Sequence, residues 1–397
     1  MTPPHERTSS ARTAAIEPFE VMEVLRRAQE LEAAGHDVIH LEVGEPDFPT
    51  PEPVVRAAAT ALASEPMGYT PALGLRTLRE RITRYYATRF GVSVDPDRVV
   101  VTAGSSAGLL MALGYVLDIG DEILIGDPGY PCNRHFATFV GGRPRLVPTD
   151  ATTGYQVTAD ILRNAWTPAT RAVITASPSN PTGTSIPDAG LDAIAALCRD
   201  RGADLIADEI YQGLTYGHEP HTILRHTDDA IVVNSFSKYF QMTGWRIGWL
   251  VLPHGAVRDI EKLAQNLSIC APPVAQHAAL AAFAPDTVAI LEERRSELAD
   301  RRDALLAALP DIGFAVKAVP DGAFYVYCDV SSVTDDSFAF AGQILDRAHV
   351  AITPGRDFGL AAPERHVRIA YSQPIPRLLE AVERIRRVLG PGVRPSG

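Results

Sequence analysis

A chain of 397 residues with 46% hydrophobic content can bury a large core and is long enough for more than one structural unit. Its formal net charge of −11, with no Lys/Arg-rich block, argues against a nucleic-acid or anionic-membrane surface as main partner, so an anionic ligand has to be met by a local cluster. The four cysteines, Cys132, Cys198, Cys270 and Cys328, are scattered without a C-x-x-C pair, which suggests neither a disulfide framework nor a metal site, and no apolar run reaches bilayer length; the chain reads as cytoplasmic.

Residues 1–15 read as a flexible arm, because Glu6, two prolines and the lack of an apolar centre do not fit a targeting peptide. A helix is expected from Phe19 to Ala34, then a short strand near Val38 to Leu41 and the proline-rich turn Gly44 to Pro51. From Arg98 to Leu252, short β-branched runs alternate with helical patterns, the signature of a mostly parallel sheet covered by helices. Its seven expected strands are Arg98–Thr102, Glu122–Gly126, Pro144–Val147, Arg171–Thr175, Ala203–Ala207, Ala230–Asn234 and Ile247–Leu252. Thr287 to Leu309 reads as one long helix, F-Y-V-Y-C-D-V and H-V-R-I-A-Y-S as strands, and Arg377 to Leu389 as a closing helix. These last pieces are too few for a second large sheet and predict a smaller α+β domain. The fold class is therefore α/β.

Polar groups capable of chemistry follow successive strands of this region. The first strand leads into V-T-A-G-S-S-A-G, where a Gly turn opening a helix offers free N–H groups and the hydroxyls of Ser105 and Ser106 to a phosphate, although ordinary Gly turns look the same. G-D-P-G-Y-P brings Tyr130 after the second strand, and S-P-S-N-P-T-G brings Asn180 after the fourth. D-E-I-Y follows the fifth, supplying Asp208 and, three residues on, Tyr211. After the sixth comes S-F-S-K-Y-F-Q-M-T-G-W-R-I-G, in which Ser235, Ser237 and Arg246 flank Lys238 with two hydroxyls and a guanidinium. A lysine amine beside a phosphate anchor suits an aldehyde cofactor carrying a phosphate, held as a Schiff base, and the cofactor implied is pyridoxal 5'-phosphate. Asp208 is then suited to the ring nitrogen, with Asn180 and Tyr211 as donors to the phenolic oxygen.

The S-N-P-T-G, D-E-I-Y and Lys238 strings together resemble the class I/II pyridoxal-phosphate-dependent aminotransferases, the aspartate aminotransferase fold family. Gln241 departs from that signature, which usually has a small or aliphatic residue there. The resemblance runs from about Ile16 to the last helix and implies a discontinuous small domain, residues 16–52 with 286–397, around a large cofactor domain, 53–285. It also implies that Tyr130 stacks on the pyridine ring, that Arg368 receives the substrate α-carboxylate, and that Gly44 lies beside that carboxylate. Tyr69 resembles the tyrosine that reaches a partner's cofactor phosphate, which implies a homodimer with shared active sites. The activity implied is ping-pong transfer of an amino group between an amino acid and a 2-oxo acid. Lys238 then moves the proton, Asp208 stabilises the carbanion, and the serines with Arg246 hold the phosphate.

Other readings fit parts of the chain. Gly104, Ser106 and Gly108 spell G-x-S-x-G, the nucleophile elbow of a serine hydrolase, which His366 could complete. S-F-S-K matches S-x-x-K, but S-D-N and K-T-G strings do not occur. A lyase, decarboxylase or oxidase would use the same electron sink. Aspartate aminotransferases of one bacterial type carry a lysine where Ser106 stands, which counts against aspartate as substrate. Arg356, in T-P-G-R-D-F-G, is a candidate partner for an acidic side chain, with solvation or pairing to Asp357 as the other reading.

Overall fold

The structure is a computed structural model and describes residues 9–390. Its strands are β1 (Ile39–His40), β2 (Val99–Thr102), β3 (Glu122–Asp127), β4 (Arg143–Pro148), β5 (Thr170–Ala176), β6 (Asp204–Asp208), β7 (Ile231–Ser235), β8 (Gly248–Val251), β9 (Tyr325–Asp329), β10 (Val350–Ala351), β11 (Thr353–Pro354) and β12 (His366–Ala370). The seven strands expected between Arg98 and Leu252 all form, within a residue or two of the expected bounds, and join one sheet in the order β2-β8-β7-β6-β5-β3-β4.

The sheet is sandwiched between two apolar clusters. Val101, Val173, Leu205, Val232 and Trp249 point into one, whereas Val100, Ile174, Ile206, Ile231 and Leu250 point into the other. Because side chains alternate along a strand, covering both faces demands apolar residues at successive positions, and β2, β7 and β8 accordingly are buried along their whole length, whereas the edge strand β4, R-P-R-L-V-P, is not. Strands β4, β3, β5, β6 and β7 run parallel, while β8 is antiparallel to both β7 and β2. Two reversals restore the direction, so β2 ends at the same sheet edge as β5, β6 and β7. The reversed β8 begins there, which brings the preceding residue pair, Arg246 and Ile247, to that edge as well.

The late strands form a separate antiparallel sheet, β11-β12-β9, in which Arg368 stands opposite Tyr327. The early strand β1 pairs in parallel with β10, Ile39 opposite Val350, and Ala370 donates its N–H to the Leu41 carbonyl at 2.8 Å. Strands β10 and β11 have two residues each, too few for any alternation to show in the sequence. The long late helix spans Pro285–Ala308 and tightens into a 3₁₀ turn, Leu309–Ile312, before Gly313 at φ 74° ends it.

Of the segment read as an arm, residues 1–8 lie outside the described residues, and Ala11–Ala14 forms a helical turn. Ser10 Oγ caps it by accepting the Thr13 N–H at 3.2 Å, and the Arg12 guanidinium lies 5.8 Å from the Phe139 ring centre. Among the described residues, no single helix is long and apolar enough to cross a membrane.

Candidate active site

A cavity of about 240 Å³ opens at the carboxyl edge of the large sheet, beneath the smaller one. Adjacent strands build its floor. Ala176, the last residue of β5, is in register with Asp208, the last of β6, and Asp208 accepts the Ser177 N–H on its own carbonyl at 3.1 Å. The Asp208 side chain is buried, and its Oδ1 accepts the Ile210 N–H at 3.2 Å. Burial pushes this carboxyl up to about 6, while the Ile210 N–H and the Lys238 charge pull it down. A cationic ring nitrogen beside it would return it to the charged form.

Lys238 enters from the turn after β7. Ser235 Oγ accepts the Ser237 N–H at 3.0 Å and the Lys238 carbonyl accepts the Gln241 N–H at 3.1 Å, which fixes the lysine's backbone on both sides. Its ammonium donates to the Gly44 carbonyl. Burial first, then the Arg368 charge, lowers it to about 8, so the amine loses its proton far more readily than an ordinary lysine does.

The phosphate end is a cradle of backbone. Helix Ser105–Val116 starts there with Gly104 at φ 83° and no side-chain cap, leaving its first N–H groups unanswered. A Cβ on Gly104 would come within 2.6 Å of the Arg246 guanidinium, and one on Gly248 within 2.9 Å of the Ser105 nitrogen. Arg246 donates to the Thr243 carbonyl at 2.9 Å and has no carboxylate partner among the described residues. Free N–H groups, three lining serines, a free guanidinium, a buried amine and a buried carboxylate fit pyridoxal phosphate, phosphate to ring nitrogen.

On the other side of the cavity lies Arg368, 1% exposed, on β12. Its guanidinium sits 4.5 Å from the Tyr325 ring centre and 4.9 Å from that of Phe358. One Nη donates to Asn180 Oδ1 at 2.9 Å and the other to the Glu42 carbonyl, while Nε has no partner. These acceptors are neutral, so a buried cation is left without an anion, and burying an unpaired charge is costly. With its oxygen turned to Arg368, Asn180 has its amide N–H groups left to donate. Tyr211 and Tyr325 share a hydrogen bond at 2.8 Å between their hydroxyls, and burial keeps both phenols protonated. A Cβ on Gly44 would lie 2.3 Å from the Tyr325 oxygen, so that wall admits only glycine.

Gly44, Ser105, Ser106, Tyr130, Asn180, Asp208, Tyr211, Ser237, Lys238, Arg246 and Arg368, all singled out in the sequence, therefore line one cavity. Ser235 does not line it; its hydroxyl is buried in the turn, bonded to the Ser237 N–H. Tyr69 is 82% exposed and also stands outside. His366 is no partner for Ser106: its ring stacks on Tyr327 at 4.6 Å and its Nδ1 pairs with the Ala362 carbonyl. Arg356 is bound to Glu20, and its guanidinium covers the Phe338 ring at 3.6 Å. The Gln241 that departs from the usual signature has φ 55°, and its side-chain oxygen accepts from Arg294. Sequence reasoning missed Tyr325, Phe358, Thr243 and the wall formed by Phe19, Val21 and Met22. Only the tyrosine-rich run F-Y-V-Y offered a signal for any of them.

Known proteins are similar to this chain over almost its whole length. A family model described as aminotransferase class I and II matches residues 36–385. A valine–pyruvate aminotransferase of Mycobacterium tuberculosis is 42% identical over 94% of this chain and 96% of its own, and an aspartate aminotransferase of Streptomyces avermitilis is 35% identical over 98% of each. The solved structure of Thermus thermophilus aspartate aminotransferase with maleate superposes with a TM-score of 0.91 at 35% identity, covering 96% of this chain and all of that one. The chain belongs to the class I and II aminotransferases, pyridoxal-phosphate enzymes that move an amino group between an amino acid and a 2-oxo acid.

Proposed function

We propose that this aminotransferase takes its amino group from amino acids with apolar side chains. The observation that carries this reading is the apolar part of the lining: Phe19, Val21 and Met22 line the cavity, Ser106 is neutral, and Arg356 is engaged by Glu20. A substrate carboxylate held at Arg368 leaves its side chain among these apolar groups, where a second carboxylate would be desolvated without a partner. The 42% identical relative named for valine and pyruvate supports the same choice.

In this reading Arg368 grips the α-carboxylate through two parallel hydrogen bonds, and Gly44 lets the substrate lie close to the backbone. The cofactor, when bound, supplies an electron sink for the carbanion formed at the α-carbon. Lys238 would then take the α-proton and return it two atoms away, to the carbon on the far side of the amino nitrogen, while Asp208 would hold the ring nitrogen's proton. Asn180 and Tyr211 donate to the phenolic oxygen, Tyr130 covers the ring face, and Ser105, Ser106, Ser237 and Arg246 hold the phosphate. Ser235 takes part by shaping the turn that carries Ser237.

Residues 16–52 and 286–397 are proposed as one small domain, on the β1–β10 pairing, with 53–285 as the large one. A homodimer is proposed on Tyr69, which is exposed beside Thr70, itself bonded to Gln276 at 2.9 Å; exposed Leu267 and Ile269 lie just before that stretch. A cytoplasmic location is proposed on the four free cysteines. The substrate reading is tested by steady-state kinetics of the holoenzyme with valine, leucine and aspartate against pyruvate. Leaving a carboxylate unpartnered costs at least ~1.4 kcal/mol, so kcat/KM for aspartate should fall about tenfold or more below valine. Equal values for the two would overturn the apolar assignment.

A further inference from the structure

Of three consecutive residues, Arg356 and Asp357 both contact Glu20, and Phe358 lies against Arg368. Phe358 packs on the Arg368 guanidinium and Arg356 pairs with Glu20. Asp357 lies between them, 2% exposed, and its Oδ1 accepts the Glu20 N–H at 3.1 Å, a contact 337 residues apart in sequence.

That contact answers a local deficiency. Helix Glu20–Ala33 begins after Phe19, a side chain with no acceptor, so the helix cannot cap itself. Asp357 supplies the missing oxygen from another segment, and its carboxyl adds a negative group at the positive end of the helix dipole. Burial pushes that carboxyl up to about 6, while the N–H groups of Glu20 and Val21 and the cations Arg368 and Arg134 pull it down. The Arg134 side chain also donates to the Asp357 carbonyl at 3.1 Å, which holds the loop in place. The helix end fixed in this way carries Phe19, Val21 and Met22 into the cavity, where Phe19 meets the Tyr130 ring edge-on at 6.3 Å. Asp357 itself does not line the cavity.

We propose that Asp357 is a positioning residue for substrate selectivity: by capping helix Glu20–Ala33 from across the chain, it holds the Phe19, Val21 and Met22 wall against the substrate side chain. This rests on the apolar-substrate reading above. A small side chain such as alanine's does not reach the wall, so the cap matters to leucine and valine and little to alanine. General destabilisation would lower all three alike.

The test compares wild-type holoenzyme, Asp357→Ala and Asp357→Asn by kcat/KM for leucine and alanine, and by hydrogen exchange at the Glu20 amide. A lost cap predicts that Asp357→Ala lowers the leucine-to-alanine ratio about 3- to 10-fold, shifts alanine turnover by less than about twofold, and speeds exchange at that amide. Asp357→Asn keeps an oxygen acceptor and should stay near wild type on both counts. An unchanged ratio in Asp357→Ala would overturn the proposal. So would a wild-type Glu20 amide that exchanges as freely as that of an uncapped terminus, a result that needs no variant to fold. If wild type failed to prefer valine to aspartate, the apolar reading would fall, while slow exchange at Glu20 would still report the cap.

Discussion

The two ends of the cavity are built in different ways. At the cofactor end, Asn180, Asp208 and Lys238 each stand within a few residues of the end of β5, β6 or β7, and the register of neighbouring strands sets their spacing. At the substrate end, the groups come from segments far apart: Arg368 touches Asn180 and the Glu42 carbonyl, and Asp357 touches Glu20. On the proposed reading, the first end carries the chemistry common to the family and rests on the covered sheet. The second then sets what is accepted, and it rests on contacts between chain segments. Changes at the first should therefore stop turnover for every substrate, whereas changes at the second should alter affinity or choice.

The largest effect is expected at Lys238. Positioned acid–base catalysis contributes roughly 100- to 10,000-fold, so Lys238→Ala should lower kcat by at least that factor for all amino acids alike. Single-turnover kinetics would check it, and a loss restricted to one substrate would contradict the division between the two ends. The same burial has an opposite consequence for stability. In the cofactor-free protein the Lys238 ammonium is lowered from 10.5 to about 8. Below pH 8 both folded and unfolded chains hold the proton, and the folded one bears the cost of a buried charge. Between about 8 and 10.5 the folded chain has lost it while the unfolded one still binds it, so the cost disappears as pH rises. Cofactor-free Lys238→Met should accordingly be more stable near pH 7 by up to about 3 kcal/mol, with the gain fading by about pH 10. Urea unfolding at the two pH values measures this, and a destabilised variant at pH 7 would count against a buried, cavity-facing amine.

That division also explains what could be read from the sequence. The cofactor end was legible because each motif is short and follows a strand whose apolar run is unbroken; G-S-S, S-N-P-T-G, D-E-I-Y and S-F-S-K needed no knowledge of distant partners. Arg368 was legible only through resemblance, since its alternating strand looks like any other edge. Phe19 and Met22 read as part of an amphipathic helix, and nothing nearby in sequence reveals that Asp357 caps that helix. Arg356 read as either a partner for an acidic substrate side chain or a solvated or Asp357-paired cation, because its actual partner, Glu20, lies 336 residues away. Ser235 was placed with the phosphate because hydroxyl spacing cannot tell a side chain facing the cavity from one closing a turn. Strands β10 and β11, each of two residues, left no periodicity to find.

The smaller effect is the sharper test, because it separates carboxylate binding from side-chain choice. Arg368→Lys keeps the positive charge but loses the planar fork, and one ammonium cannot reach Asn180, the Glu42 carbonyl and a carboxylate in the same geometry. It also loses the flat face that packs between Tyr325 and Phe358. A charge-assisted hydrogen bond is worth about 1.5–3 kcal/mol, so KM should rise roughly 10- to 100-fold. Every amino acid presents the same α-carboxylate, so the rise should be similar for alanine, valine and leucine, leaving their ratios of kcat/KM nearly fixed. Asp357→Ala is expected to do the reverse and move the ratio with little effect on alanine. If Arg368→Lys changed the ratio instead, the guanidinium would be sensing the side chain, and the assignment of Arg368 to the carboxylate would have to be given up.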